Sequence, residues 1–114
     1  MFHSLVAVIA TVAVLAAPAV SLRVSTPVGR QPLTQRLAIV IEPDAANRGY
    51  CLVYDSDTGQ AGVKCEDLAG AEATRTRWVL LPRLTAGSYT AVVRVGRSDG
   101  SVKSSAEGRG EVVE

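Results

Sequence analysis

The most reactive side chains in this 114-residue chain are those of its two cysteines, Cys51 and Cys65. A zinc site would need four Cys or His ligands, and the only histidine is His3. The residues Asp57-Thr58-Gly59 between the cysteines are typical of a tight turn. A three-residue loop centred on Thr58 sets residues equidistant from it opposite each other, Cys51 and Cys65 among them. Directly opposed residues lie within disulfide reach, so we predict one disulfide that braces a hairpin by about 3 kcal/mol.

Residues 1–21 are predicted to be a secretory signal peptide. The run Leu5–Val20 is apolar apart from Thr11 and Pro18, and small residues follow at the spacing that a signal peptidase reads. Cleavage after Ser21 is favoured, and cleavage after Ala19 is the alternative. We therefore expect a secreted or periplasmic protein, in agreement with a disulfide. An uncleaved anchor formed by residues 5–20 is the rival interpretation, although it is shorter than the roughly 20 residues that span a bilayer.

Composition and motifs argue against most other chemistries. The formal net charge is +1, which disfavours a nucleic-acid partner. Without His3 the mature chain has no histidine for a nucleophilic triad or a His-ligated metal, and neither Lys64 nor Lys103 follows a Ser-x-x-Lys pattern. The segment 55–59 has the Asp-x-Asp-x-Gly pattern of a calcium loop, but a hairpin turn is the better explanation of its Asp and Gly residues. We therefore expect no enzymatic activity, no cofactor and no metal.

After the signal, the sequence is predicted to form short strands joined by turns. Residues 22–35 form an extended N-terminal segment or edge strand, interrupted by Pro27 and Pro32. Residues 36–114 form an all-β domain, an antiparallel β-sandwich of about seven strands. Alternating apolar residues and turn signals place strands at 36–42, 50–55, 62–66, 76–81 and 88–95. A last strand from Ser101, after the turn Asp99-Gly100, is expected to be irregular because few of its residues are apolar.

The segment Leu84-Thr85-Ala86-Gly87-Ser88-Tyr89 resembles the Leu-x-x-Gly-x-Tyr segment of fibronectin type III and bacterial immunoglobulin-like modules. The resemblance implies a tyrosine corner, in which the Tyr89 ring lies in the core and its hydroxyl bonds to nearby backbone. Tyr54 and Trp78 are predicted to be core residues beside it. The cysteines depart from the family pattern because they lie within one hairpin, and Trp78 lies on the strand before the motif.

The candidate binding surface is the outer face of the cysteine hairpin. If alternate residues of strand 50–55 point inward, Val53, Val63 and Val92 point outward around the disulfide, with Arg94 beside them. An apolar sheet face is typical of a protein-binding site, although β-branched residues also favour strands for local reasons. Arg77 and Arg94 belong to strands of different sheets, so the arginines are expected to form a solvated surface.

These observations predict an exported, non-enzymatic module that binds a protein partner in the cell envelope or outside it. One alternative is a structural subunit that assembles by edge pairing of its weakly patterned last strand. A second is a membrane-anchored accessory domain with an uncleaved signal. The identity of the partner and the oligomeric state stay open.

Overall fold

A computed structural model describes residues 19–70 and 75–114 of the chain, and these residues form eight β-strands. The strands are β1 (Val20–Val24), β2 (Val28–Arg30), β3 (Leu33–Ile41), β4 (Asn47–Ser56), β5 (Ala61–Asp67), β6 (Thr76–Leu84), β7 (Gly87–Arg97) and β8 (Val102–Val113). Most of the predicted signal peptide lies outside the described residues. Across residues 19–70 and 75–114, no helix has the length and apolar character needed to cross a membrane.

The strands form two sheets that enclose one core. Three strands pair in the order β1-β3-β6, and five pair in the order β2-β8-β7-β4-β5. Neighbouring strands are antiparallel except for β2, which runs parallel to the end of β8. The predicted all-β sandwich is therefore confirmed, with eight strands in place of about seven.

The core is built from the apolar residues that alternate along β3, β4, β6 and β7. In β7 the predicted inward positions are all buried, which confirms the alternation there; they are Tyr89, Ala91, Val93 and Val95. Leu37 and Ile39 of β3 are fully buried in the facing sheet. Tyr54, which was predicted to be a core residue, is only partly buried and packs against the edge of this core.

The prediction that Trp78 belongs to the core is wrong, because 56% of its surface is exposed. Its strand pairs with β3 so that Val79 lies opposite the buried Leu37 and Trp78 lies opposite Ala38. Alternation then turns Val79 inward and Trp78 outward. The exposed ring is covered on one side by Arg36, whose guanidinium carbon lies 4.4 Å from the ring centroid, a distance typical of a cation–π contact.

The prediction of an irregular last strand is wrong for all but its start. β8 extends over 12 residues between β7 and the short strand β2, and its one register irregularity lies where Ser104 and Val102 pair with Val95 and Gly96. Its glycines fit this place, because a side chain at Gly110 would collide with the ring of Tyr89, and Gly108 faces Leu22 and Val24. β2 pairs only with Glu111–Val113 of β8, so among the described residues no strand pairs with the outer edge of β8 before Glu111, and the assembly alternative stays a prediction.

A buried hydrogen-bond network joins the two sheets at Tyr89. The side-chain amide of Gln35 in β3 donates to the Tyr89 hydroxyl over 2.6 Å and to the Thr26 carbonyl over 2.6 Å. Its oxygen accepts from the Thr26 amide over 2.8 Å. The ring of Tyr89 is buried as the resemblance implied, but its hydroxyl bonds to a side chain of the opposite sheet and not to nearby backbone.

Candidate functional site

The β4–β5 hairpin has the geometry that its turn predicts. Cys51 lies opposite Cys65 in the strand register, with 4.1 Å between the Cα atoms, and the two sulfurs are bonded. The tip of the hairpin is fixed to β7, since the Asp57 amide donates to the Ser88 carbonyl and the Asp57 carboxylate accepts from the Ser88 amide. The Asp57 carboxylate, which would be a ligand in the calcium-loop hypothesis, thus accepts a hydrogen bond from backbone.

The predicted apolar face exists as a row across three adjacent strands. Val53 lies opposite Val63 on one side and opposite Val92 on the other. Val63 is 64% exposed and Val53 is 38% exposed, whereas Val92 is half-buried. We call these three residues the valine row. Cross-strand neighbours of this kind lie in side-chain contact, so the row presents one continuous apolar strip to solvent.

The next row along the same strands contains the disulfide and Arg94. Cys65 lies opposite Cys51, and Cys51 lies opposite Arg94. On this part of the outer face, the exposed groups are therefore the disulfide and the guanidinium of Arg94. The structure brings together all four residues that the sequence placed in the candidate binding surface, namely Val53, Val63, Val92 and Arg94.

In the third row, β4 and β7 have glycines where the other two rows have side chains, and β5 has Asp67. Gly49 of β4 lies opposite Gly96 of β7, and the register of the two strands shifts at this point. Because neither residue has a side chain, the outer face sinks here into a pocket of 560 Å³. We call it the arginine pocket, because three of its lining residues are Arg48, Arg94 and Arg97.

The guanidinium of Arg48 is held in place by backbone. One terminal nitrogen donates to the Ala45 carbonyl over 2.7 Å and to the Asn47 carbonyl over 2.9 Å. Within residues 19–70 and 75–114, neither Arg94 nor Arg97 forms an ion pair or a side-chain hydrogen bond. Three arginines therefore line one depression, and the charge of Arg97 also acts on the nearby Asp44 and Asp99 carboxylates.

Two acidic residues also line the pocket, and the charge of one is compensated. Glu66 of β5 forms an ion pair of 3.2 Å with Arg77 of β6. This ion pair links the two sheets. Glu66 lies beside Tyr50, where burial first and the carboxylate second raise the pKa of the phenol. Asp67 lies opposite Gly49 at the end of β5. The balance of charge around the depression is positive.

Sequence reasoning missed the pocket because it compared the wrong arginines. The inference that Arg77 and Arg94 lie in different sheets is confirmed, but Arg94 shares its pocket with Arg48 and Arg97. The signal that would have found them is the register itself. Extending the β4–β7 pairing outward from Cys51 and Arg94 places Gly49 opposite Gly96 and brings the adjacent residues Arg48 and Arg97 to the same end of the two strands.

Comparison with known proteins establishes the fold and no family. No protein-family model matches the chain, and no curated protein matches it. Among solved structures, it is similar to superoxide reductase (neelaredoxin) from Ignicoccus hospitalis, with a TM-score of 0.57, 10% identity, and coverage of 81% of this chain and 80% of that one. It is also similar to a CARDB domain from Pyrococcus furiosus, solved in complex with di-metal ions, with a TM-score of 0.52, 11% identity, and coverage of 82% and 90%.

The likeness to superoxide reductase corrects the expectation that the chain is not an enzyme. An enzyme and two of its variants share the sandwich architecture, so this fold gives no ground for excluding catalysis. At such low identity the likeness shows the fold alone. Over the described ranges, no group of three or more His, Cys, Asp or Glu side chains is placed to hold a metal ion.

Proposed function

We propose that the chain is an exported module that binds a protein partner through the outer face of its five-stranded sheet. The observation that carries the proposal is the valine row, in which Val53, Val63 and Val92 are in register on adjacent strands and open to solvent. Burying these side chains against a partner would contribute about 25 cal/mol for each Å² of apolar surface removed from water. The Cys51–Cys65 disulfide fixes two of the three strands, which lowers the entropy lost on binding.

The rigid setting of the row supports the same interpretation. β4 lies between β5 and β7 and is paired on both sides, and Asp57 fixes the hairpin tip to β7. A face built on paired strands keeps its shape, as a preorganised binding surface does. Immunoglobulin-like membership is part of this proposal, and the Leu84–Tyr89 segment and the sandwich support it.

Export is supported by the disulfide, which is typical of oxidising compartments, and the structure bears on the cleavage position. Val20 is 3% exposed and lies in the core, opposite Ile41. Cleavage after Ser21 would remove Val20 and forfeit about 1.5–3 kcal/mol of burial. We therefore infer that cleavage after Ala19 is the better site.

Capture experiments with matched variants test the binding proposal. Wild-type chain, Val53→Lys/Val92→Lys, Val63→Lys and Leu80→Lys are immobilised and exposed to the envelope fraction of the producing cells. Leu80 is the control, because it is 51% exposed on the other sheet and Leu80→Lys gains the same single charge as Val63→Lys. We expect wild type and the control to retain a common protein that both valine-row variants lose. Equal retention by all four folded chains contradicts the proposal.

Intact mass tests export independently of binding. Protein recovered from the envelope or the medium is weighed with and without reduction and alkylation. We expect a chain that begins at Val20, with thiols that become alkylated only after reduction. A full-length mass with two free thiols contradicts export, and a chain that begins at Leu22 contradicts the inferred cleavage site.

A further inference from the structure

We infer that the arginine pocket is a carboxylate-recognition site, and that it selects a partner with an acidic segment beside the apolar surface that covers the valine row. The inference rests on the proposed function, because the pocket and the valine row belong to one outer face. The row formed by the disulfide and Arg94 lines the pocket and lies next to the valine row on the same strands. A partner that covers one is therefore in reach of the other.

The donor set of the pocket suits carboxylates. Guanidinium groups present planar pairs of N–H donors that match the two oxygens of a carboxylate. One terminal nitrogen of Arg48 donates hydrogen bonds to two backbone carbonyls. These bonds fix the position of the guanidinium charge before a ligand binds. Arg94 and Arg97 form no ion pair or side-chain hydrogen bond among residues 19–70 and 75–114, although the charge of Arg97 lies within reach of the Asp44 and Asp99 carboxylates. Their N–H donors are therefore available to an anion, and Arg94 is the less compensated of the two.

The floor of the pocket lets a ligand approach closely. Gly49 and Gly96 lie side by side at the shift in strand register, and a Cβ built at Gly96 would meet nothing of the protein nearer than 3.8 Å. The backbone there is not in the positive-φ region that would require glycine. Neither steric contact nor local conformation demands glycine at this position, and its effect is to keep the depression empty.

The form of the pocket favours a group carried by a larger molecule over a free metabolite. Most of the lining side chains are exposed, so the pocket is a shallow depression, whereas sites for small molecules enclose most of their ligand. A shallow cationic depression beside an apolar strip fits a protein surface with an acidic side chain at its rim. Two carboxylates line the pocket, and the ion pair with Arg77 compensates that of Glu66. The three arginines outnumber the carboxylate that is left, that of Asp67.

Titration with defined peptides tests the inference. The probes are a triglutamate peptide with blocked ends, the matching triglutamine peptide and inorganic phosphate, each added to the oxidised chain as recovered from the producing cells. Backbone and arginine side-chain N–H resonances are followed by NMR. We expect the triglutamate peptide alone to shift Gly49, Gly96 and the side chains of Arg94 and Arg97. Equal shifts with triglutamine, or tighter binding of phosphate than of triglutamate, overturn the inference.

Variants separate a built site from general attraction. Arg94→Gln/Arg97→Gln should weaken triglutamate binding about ten-fold or more, the loss expected for charged hydrogen bonds. Gly96→Leu should do the same by filling the pocket with no change of charge. The control is Arg109→Gln, an exposed arginine of the same sheet that is paired with Glu107, and it should leave the affinity unchanged. A loss with the control as large as with the pocket variants overturns the inference.

The two proposals fail separately. Peptide binding lost only in the pocket variants, together with partner capture that survives Val63→Lys, leaves the carboxylate site standing without the proposed partner surface. If partner capture requires the valine row but survives Arg94→Gln/Arg97→Gln, the partner surface stands and the carboxylate site does not contribute to partner binding.

Discussion

The buried network at Gln35 leads to a prediction that a double-mutant cycle can measure. Gln35 is fully buried and joins Tyr89 of the opposite sheet to the backbone of Thr26. Gln35→Met keeps a similar shape and removes every polar contact, whereas Tyr89→Phe removes the hydroxyl alone. Together the two changes delete the hydrogen bond that links the sheets.

The expected magnitudes follow from which groups lose their partners. A buried polar group left without a partner costs about 1–3 kcal/mol. Tyr89→Phe strands one N–H of Gln35, so we expect a loss of about 1–2 kcal/mol. Gln35→Met strands the Tyr89 hydroxyl and also releases two groups of Thr26, which water can satisfy because Thr26 is exposed. Its expected cost is about 2–4 kcal/mol.

The double variant should be more stable than the sum of the single effects predicts, by about 1 kcal/mol, because the shared hydrogen bond is lost only once. Urea unfolding of the four oxidised chains measures the cycle, provided that their m-values agree. Effects that add within about 0.3 kcal/mol would refute the reasoning, since they would mean that Gln35 and Tyr89 do not stabilise each other.

Three further predictions concern other parts of the fold. Replacing Cys51 and Cys65 together by serine should lower the free energy of unfolding by about 3 kcal/mol, and an unchanged urea midpoint would count against the brace. Gly110→Ala should destabilise the chain by about 1–3 kcal/mol, because its methyl group meets the Tyr89 ring; a neutral effect in thermal unfolding would show that the packing is loose. Burial raises the pKa of Tyr50 and Tyr89 in the folded chain, so their contribution to stability is complete below the unfolded pKa of about 10 and falls as pH rises above it. Urea midpoints measured on both sides of that pH should decrease, less so in the Phe variants, and a flat profile would contradict the sign.

The sequence was sufficient where local chemistry decides the structure. The turn at Thr58 and the symmetric cysteines determine the register of the β4–β5 hairpin without reference to the rest of the fold. Strict alternation in β7 likewise identifies its buried face. From these two elements alone, the outward direction of Val53, Val63 and Val92 follows.

The errors arose where distant packing decides. Trp78 was assigned to the correct strand, but which side of β6 is buried depends on its pairing with Leu37 of β3. Gly108 and Gly110 look like strand breakers in the sequence, whereas the structure needs Gly110 to make room for the Tyr89 ring. The buried Gln35 has no local signal either, because its partner is 54 residues away.

The arginine pocket shows the same limit at the candidate site. Each lining arginine looks like an ordinary solvated side chain in the sequence, and the glycines Gly49 and Gly96 look like loop residues. The two glycines meet because of the β4–β7 register, which pairs Gly49 with Gly96. Only long-range strand pairing creates the depression, so periodicity along a single strand cannot reveal it.

Site-specific photo-crosslinking in the producing cells tests the central claim most directly. A photoreactive phenylalanine derivative is placed at Val92 in the valine row, and in a control chain at Leu80 on the other sheet. We expect a discrete crosslinked protein from position 92 and none from position 80. No adduct at position 92, or the same adduct from both positions, would contradict the claim that this face binds a protein partner.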